Sequence, residues 1–457
     1  MSTLKNTIRD NKWACWLALA CLVVPMFASY FFDDMFSSLS ELFKNPETLE
    51  LGWNMADYGF YSSGYSFLCI WGGLIVCGAL LDKFGVRLVG SIFVGLMLGG
   101  AAMVTFAISA GYAPKISLTI AYIGCMLFGL GSEIAGVSVT RSIAKWFKGR
   151  NMALAMGLQL AIARFGTATA ILVAPMIVRQ KAMGEIYTLT ETNRPALIGL
   201  AVLAVGTVLW AIFVAMDANF DRQTGERDTV ETAEEDKFKF SDIWKVLSNP
   251  RFLMIAILCV TFYCCVIRFK KFGVSILLPL FGVNLDIATV LLAMIPFFTI
   301  LFTPLFGALV DKVGKATLWM IVGAGLVLAS HLIITFAPQG VPMYAYVAIA
   351  LLGIGYSLVP SAMWPSVPKI IPEKNLGTAY SLIYWVQNMG MWAVPIYIGK
   401  IFTDTITTPG DKAQEISAAI QAEHVFILLG SIAIAVAFLL KYSSKKHPEL
   451  KLDERAS

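Results

Sequence analysis

Residues 88–110 read LVGSIFVGLMLGGAAMVTFAISA, twenty-three positions without a charge. No other feature constrains the fold as tightly. About 20 helical residues, each rising about 1.5 Å, cross the ~30 Å hydrocarbon core of a bilayer. Lipid offers nothing to an unpaired peptide N–H or C=O, so only helices and closed barrels can span it. A barrel strand alternates apolar and polar residues, and this run does not. Similar runs recur along the chain, which is 58% hydrophobic and 14% charged, whereas a soluble domain carries about 25% charge. The sequence predicts an all-α polytopic membrane protein.

Twelve spans are predicted. The first six are about Trp13–Phe32, Gly59–Leu81, Leu88–Ala110, Leu118–Ala144, Met152–Val178 and Pro195–Met216. The second six are about Phe252–Leu280, Ile287–Val310, Thr317–Phe336, Tyr344–Val367, Thr378–Ile401 and Val425–Leu440. The expected organisation is a six-helix bundle over 1–216, a linker over 217–250, a second bundle over 251–441 and a tail over 442–457. The linker is polar, acidic and then basic. It ends in SDIWKVLSNP, where Ser241 is a candidate N-cap and Ile243, Trp244 and Leu247 sit at helical spacing. A short interfacial helix and a plain solvated linker are equally good readings there.

Loop charge sets an expected orientation. Lys5, Arg9 and Lys12 precede the first span, Lys83 and Arg87 follow the second, and Lys145, Lys148 and Arg150 follow the fourth. Lys312, Lys315, Lys369 and Lys374 fill the matching loops of the second half, while the first opposite loop carries Asp33, Asp34, Glu41, Glu47 and Glu50. The positive-inside rule puts both termini in the cytoplasm. The polar first residues lead into an apolar run without a cleavage-site pattern, which reads as a span and not a removed signal peptide. All eight cysteines lie in apolar runs and are expected as free thiols, with no metal site and no cofactor. A net charge of +5 reflects loop lysines and gives no nucleic-acid patch. No GxxxxGK[ST] loop occurs, so ATP does not drive the protein directly.

The two halves repeat. GALLDKFGVR at 78–87 recurs as GALVDKVGK at 307–315. A constant offset of 224 carries Gly129 to Gly353, Gly131 to Gly355, Ala155 to Ala379 and Arg164 to Asn388. In the repeated loop Gly78 and Gly85, with Gly307 and Gly314 in the second copy, allow close helix approach and a tight turn. Asp82, and Asp311 in the second copy, can cap a neighbouring helix N-terminus. Such a contact, worth about 0.3–2 kcal/mol, would exist in only one arrangement of the bundles and so act as a conformational switch, with Arg87 beside it.

Charges inside the spans point to a site. Glu133 lies thirteen residues before the end of span four near Trp146, and Arg164 fourteen residues after the start of span five near Arg150. Both are therefore about 20 Å from one connecting loop, near midplane. An isolated charge at the bilayer centre costs about 2.5–3.5 kcal/mol on insertion scales. Either the two close into an ion pair that fixes packing, or both line a wet cavity, Arg164 taking a substrate carboxylate and Glu133 an amine or a proton. Asn388 is the uncharged counterpart of Arg164, with Tyr384 one turn earlier. In CCVIRFKKFGVS, Arg268 and Lys271 share a helical face and Lys270 points away. At least one of the three faces the cavity, or they snorkel to the outer headgroups. Arg141 shares a face with Glu133 but sits near the cytoplasmic end. Tyr58, Tyr61, Ser62 and Tyr65, and Tyr356 and Trp364 beside Pro360, either pack or wall a side-chain pocket.

Two six-helix halves of like orientation resemble the major facilitator superfamily, whose substrate site lies between the halves, and the repeated G-x-L-x-D-K-x-G resembles its cytoplasmic loop motif. Val86 stands where that motif usually has a basic residue. SYFFDDMFSSL, the loop motif, Glu133, and Arg164 thirty-one residues on are similar to the family of lysosomal dipeptide transporters called major facilitator superfamily domain-containing protein 1. The resemblance implies a secondary transporter, not an enzyme. It makes Glu133 and Arg164 substrate residues and Asp34 the acid of span one, a candidate gate or coupling residue. Its partners would be a small solute or peptide and the bilayer, with the protein a monomer and an accessory subunit left open. The alternatives are an organic-anion carrier using Arg164 with Arg268 or Lys271, and a non-transporting receptor. No Asn-x-Ser/Thr sequon occurs, which fits a bacterial-type inner membrane better than a lysosome.

Overall fold

The computed structural model describes Ile8 and residues 11–148, 151–181, 184–224, 240–372 and 375–455. Lys5, Arg9, Arg150, Lys374 and the side chains of Asp82 and Ser241 lie outside the described set.

Helix α1 (Lys12–Asp34) is the first span. Helix α2 (Met55–Leu68), a π-helical turn at Cys69–Gly73 and the start of α3 (Leu74–Ser109) form the second. The third is the rest of α3 beyond Gly85, whose φ of 79° breaks the helix. Helices α4 (Pro114–Trp146), α5 (Met152–Ile177) and α6 (Leu189–Thr224) complete the first bundle. Helix α7 (Phe240–Leu247) stands where the linker pattern allowed one, starting one residue before Ser241. The seventh span is α8 (Pro250–Tyr263), a π turn at Cys264–Arg268 and α9 (Phe269–Phe281). Then follow α10 (Leu285–Val313), α11 (Ala316–Phe336), α12 (Pro342–Met363) with the short α13 (Val367–Ile370), α14 (Leu376–Thr405) and α15 (Lys412–Lys446).

Local chemistry starts these helices. Asn54, Asn249, Asn284 and Asp411 each accept from a backbone N–H in the first turn of α2, α8, α10 and α15, satisfying donors that a helix cannot satisfy itself. Ten described stretches are long and apolar enough to cross a membrane on their own. The second and eleventh spans are not among them, and these two pack on each other where the halves meet.

The internal repeat is structural. A Cβ on Gly129 would overlap the backbone of Tyr65 in the second span, and one on Gly353 the ring of Phe298 in the eighth. Gly131 lies against Met97 in the third span, and Gly355 against Gly323 in the ninth, with virtual Cβ contacts of 2.6 and 2.7 Å. The same small residues therefore seat the same helix pairs in both halves.

The halves touch firmly at the face opposite the two termini. Gly59 of α2 abuts the carbonyl of Pro395, and Gly399 abuts that of Met55. The Ala56 N–H donates to Thr403 Oγ1 at 2.9 Å, Ser40 and Ser275 share a 3.0 Å hydrogen bond, and Lys44 reaches Glu415 at 3.0 Å. Toward the terminal face a cavity runs between the halves.

Two expectations for the loop motif change. Gly78 and Gly307 have nothing within 4 Å of a virtual Cβ among the described residues, so neither mediates close approach to a described residue. Asp311 is exposed and forms no ion pair with a described residue. Arg87 turns inward on its own bundle, to Asp221 at 3.0 Å and Asp217 at 3.9 Å. Lys145 and the Trp146 indole hold the same acids, at 2.7 Å and 2.8 Å. Both acids are buried because α6 continues to Thr224, past the Met216 end read from hydropathy. Gly314, at φ 70°, sits under the backbone of Asp453 in the C-terminal tail.

Candidate substrate site

Between the halves lies a cavity of 1680 Å³. Asp33, Asp34 and Lys270 line its closed end, and Thr140, Arg141, Gly157, Asn375 and Thr378 line it near the terminal face. Of the predicted site residues, Glu133, Arg164, Arg268, Tyr356, Trp364, Tyr384 and Asn388 all line this one cavity. Gly78 lines it as well.

Glu133 and Arg164 do not pair. The Glu133 carboxylate accepts from the Tyr65 hydroxyl at 3.1 Å. That hydroxyl also contacts Ser132 at 3.1 Å, and Ser132 meets Ser29 at 2.5 Å. Three spans thus orient one carboxylate. The Arg164 guanidinium lies over the Tyr356 ring, 5.3 Å from its centroid, a cation–π contact. Tyr30 of α1 is an electrostatic neighbour of both charges. The closed ion pair weighed from sequence is therefore absent, and both side chains are half-buried against the cavity.

The aromatic residues form a wall. Trp364 stacks on Tyr384 with centroids 5.3 Å apart, and its indole donates to the Tyr263 hydroxyl at 3.0 Å. The Tyr356 hydroxyl is buried without a hydrogen-bond partner. Asn388 donates one amide N–H to the Tyr384 carbonyl at 3.0 Å, which leaves its second N–H and its carbonyl oxygen for a ligand.

Span seven departs from simple helical spacing. The π turn at Cys264–Arg268 ends where the three cations begin, and Arg268 remains an electrostatic neighbour of Lys271 one helical turn on. Arg268 and Lys270 line the cavity, while Lys271 is tied to Asp33 and Asp34, each at 3.0 Å. None snorkels; all three are buried. Asp34 is enclosed by Lys270 at 2.6 Å, Lys271, Thr167 at 2.8 Å and Ser37 at 3.1 Å. Asp33, passed over in favour of Asp34 on sequence, is the more exposed acid, with 28% of its side chain accessible against 2% for Asp34. Tyr263 and Tyr30 were missed, since an aromatic in an apolar run carries no periodic signal. Asp217 and Asp221 were missed because they were read as linker.

A model of the Major Facilitator Superfamily matches residues 22–395. The chain belongs to the major facilitator superfamily. This major facilitator superfamily protein is thus a transporter and a multi-pass membrane protein, with a solute and the lipid bilayer as partners. Its relatives include the lysosomal dipeptide transporter MFSD1 of Bos taurus, 29% identical over 439 residues, 93% of this chain and 87% of the relative. The Homo sapiens MFSD1 is 30% identical over 399 residues, 84% and 79% of the two chains. Among solved structures, a bacterial homolog to the human lysosomal transporter Spinster aligns with a TM-score of 0.70 at 14% identity, over 95% of this chain and 98% of that one. The peptide transporter POT in complex with alafosfalin aligns at 0.65 and 13% identity, over 92% and 94%. At such identities these structures support the shared fold of this transporter.

Proposed function

We propose that this transporter moves dipeptides, or similar short zwitterions, by alternating access. Arg164 receives the substrate carboxylate, Glu133 its ammonium group, and Tyr356, Trp364, Tyr384 and Tyr263 its side chains. The observation that carries this reading is that Glu133 and Arg164 line one cavity without pairing to each other. A guanidinium and a carboxylate held apart complement the two ends of a zwitterion, and burial makes each hungry for an opposite charge. The MFSD1 relatives' name supports the same class.

Loop charge places the terminal face in the cytoplasm. With the opposite face sealed, the conformation is then inward-open, and a bacterial-type inner membrane fits. The motif residues Asp82, Gly85, Arg87, Asp311 and Gly314 would form cytoplasmic contacts in the other state, with Asp34 serving at the outer gate. The test is uptake of a labelled dipeptide into proteoliposomes. Arg164→Ala should abolish it and Glu133→Gln should raise the concentration needed for half-maximal rate. Undiminished uptake by Arg164→Ala would remove the assigned role. A carrier of organic anions is the second reading, favoured by Arg268 as another cationic lining residue. There, mono- or dicarboxylates would compete and dipeptides would not.

A further inference from the structure

Arg268 is the most deeply buried of the cavity-wall charges that lack an ion-pair partner among the described residues. It is 3% exposed. Its Nε has no partner, and its Nη2 makes one long contact, 3.4 Å to Ser66 Oγ. No described carboxylate pairs with it. A buried guanidinium with five donors and one weak neutral partner is costly unless something else completes it.

The inner charges show what would complete it. Asp34 is matched by Lys270, and Asp33 by Lys271. Three charges remain on the inner lining: Glu133, Arg164 and Arg268. One anion and two cations, on three different spans, complement a ligand with one ammonium and two separated anionic groups. Arg164 contacts Tyr356 of α12, whereas Arg268 contacts Ser66 of α2, so the two guanidinia serve different walls. A single carboxylate has no need of both.

We propose that Arg268, with Ser66 beside it, is the subsite for an acidic side chain, and that the transporter prefers dipeptides carrying one. This rests on the dipeptide reading above and adds which dipeptides are favoured. Ligand pockets commonly hold about 300–1,000 Å³, so a cavity of 1680 Å³ leaves room for a side chain to extend away from the peptide ends.

The experiment is competition against labelled Ala-Ala uptake in proteoliposomes. Wild-type protein should be half-inhibited by Ala-Glu at a concentration about tenfold below that of Ala-Gln, the scale of one charge-assisted hydrogen bond. Arg268→Gln should bring the two concentrations together, and Arg268→Lys should keep them apart. Should Arg268→Gln fold poorly, Ser66→Asp answers the same question, since a resident carboxylate would occupy the guanidinium and erase the preference. Ligand-induced shifts in thermal unfolding give the same ratio without flux. Equal competition by Ala-Glu and Ala-Gln in the wild type, or an unchanged ratio in the variants, overturns the subsite. Failure of every dipeptide to enter or compete removes the dipeptide reading itself, a different result from dipeptides that compete without preference.

Discussion

Lys270 of α9 donates to Asp34 of α1 at 2.6 Å, across the line where the two bundles meet. Thr167, Ser37 and Lys271 complete the shell around the same carboxylate. The lysine belongs to one half of the repeat and the aspartate to the other, so the bond must break if the halves part at this face. Removing one partner of a buried pair leaves the other charge uncompensated, at a cost of about 3–5 kcal/mol. Asp34→Asn should therefore lower the thermal midpoint and increase solvent access to the far face, read by labelling a cysteine placed at Ser275. Exchanging the charges, Asp34→Lys with Lys270→Asp, should recover part of both. An unchanged labelling rate in Asp34→Asn would separate this pair from gating.

Glycines distinguish packing within a bundle from packing between bundles. Gly399 abuts the Met55 carbonyl across the seam, whereas Gly129 abuts Tyr65 inside the first bundle. Gly399→Ala should penalise only the conformation seen here and shift the population toward the opposite one. Gly129→Ala should lower stability in every conformation by about 1–3 kcal/mol, the usual cost of overpacking. Distance measurements between spin labels on the two bundles, alongside thermal unfolding, would tell the effects apart. The same loss of stability without a population shift in both variants would refute the distinction.

Much of this arrangement was legible in the sequence because it rests on the cost of charge in lipid. Glu133 and Arg164 stood out in apolar runs, and counting residues from their shared loop put both at one depth, with an ion pair and a shared cavity both open. The repeat was legible because Gly129 and Gly353 seat equivalent helix pairs, which no larger residue can do. In span seven the spacing marked three cations but not their partners, because Asp33 and Asp34 come from the other half of the chain. Whether Glu133 would close on Arg164 or bond Tyr65 depends on helix rotation, which spacing alone leaves undetermined. Asp217 and Asp221 read as linker because a helix that ends in buried, paired acids has the composition of a loop.

Tyr65 reaches both Glu133 and Ser132 with one hydroxyl. It holds the carboxylate in place without offering a charge of its own. Tyr65→Phe keeps the ring and its edge contact with Phe128, 6.0 Å between centroids, and deletes only the hydrogen bonds. A net hydrogen bond is worth about 0.5–1.5 kcal/mol, so dipeptide affinity should weaken by roughly 2- to 10-fold, with the thermal midpoint of the empty protein nearly unchanged. Isothermal titration of the purified variant measures both the affinity and, through the enthalpy, the lost contact. Equal affinity would show that Glu133 needs no such support.

The C-terminal tail stabilises a helix it does not belong to. The Asp453 carboxylate accepts from the Thr317 N–H at 2.9 Å and the Thr317 hydroxyl at 2.8 Å, at the start of α11, and from Ser444 Oγ at 3.1 Å. Its own carbonyl accepts from the Lys315 N–H at 2.8 Å, and Lys369 donates to carbonyls of Lys451, Leu452 and Glu454. Lys315 has a φ of 58° and provides no side-chain cap, so the helix borrows one from a residue far along the chain. Loss of an N-cap costs about 0.5–2 kcal/mol. Asp453→Ala should lower the thermal midpoint, while Asp453→Asn, which can still accept at Thr317, should lose less. Dipeptide uptake per folded molecule should stay the same in both, because every partner of Asp453 lies in the second bundle, at the end away from the sealed face. A fall in uptake at equal stability would mean that the tail also takes part in the motion of the bundles.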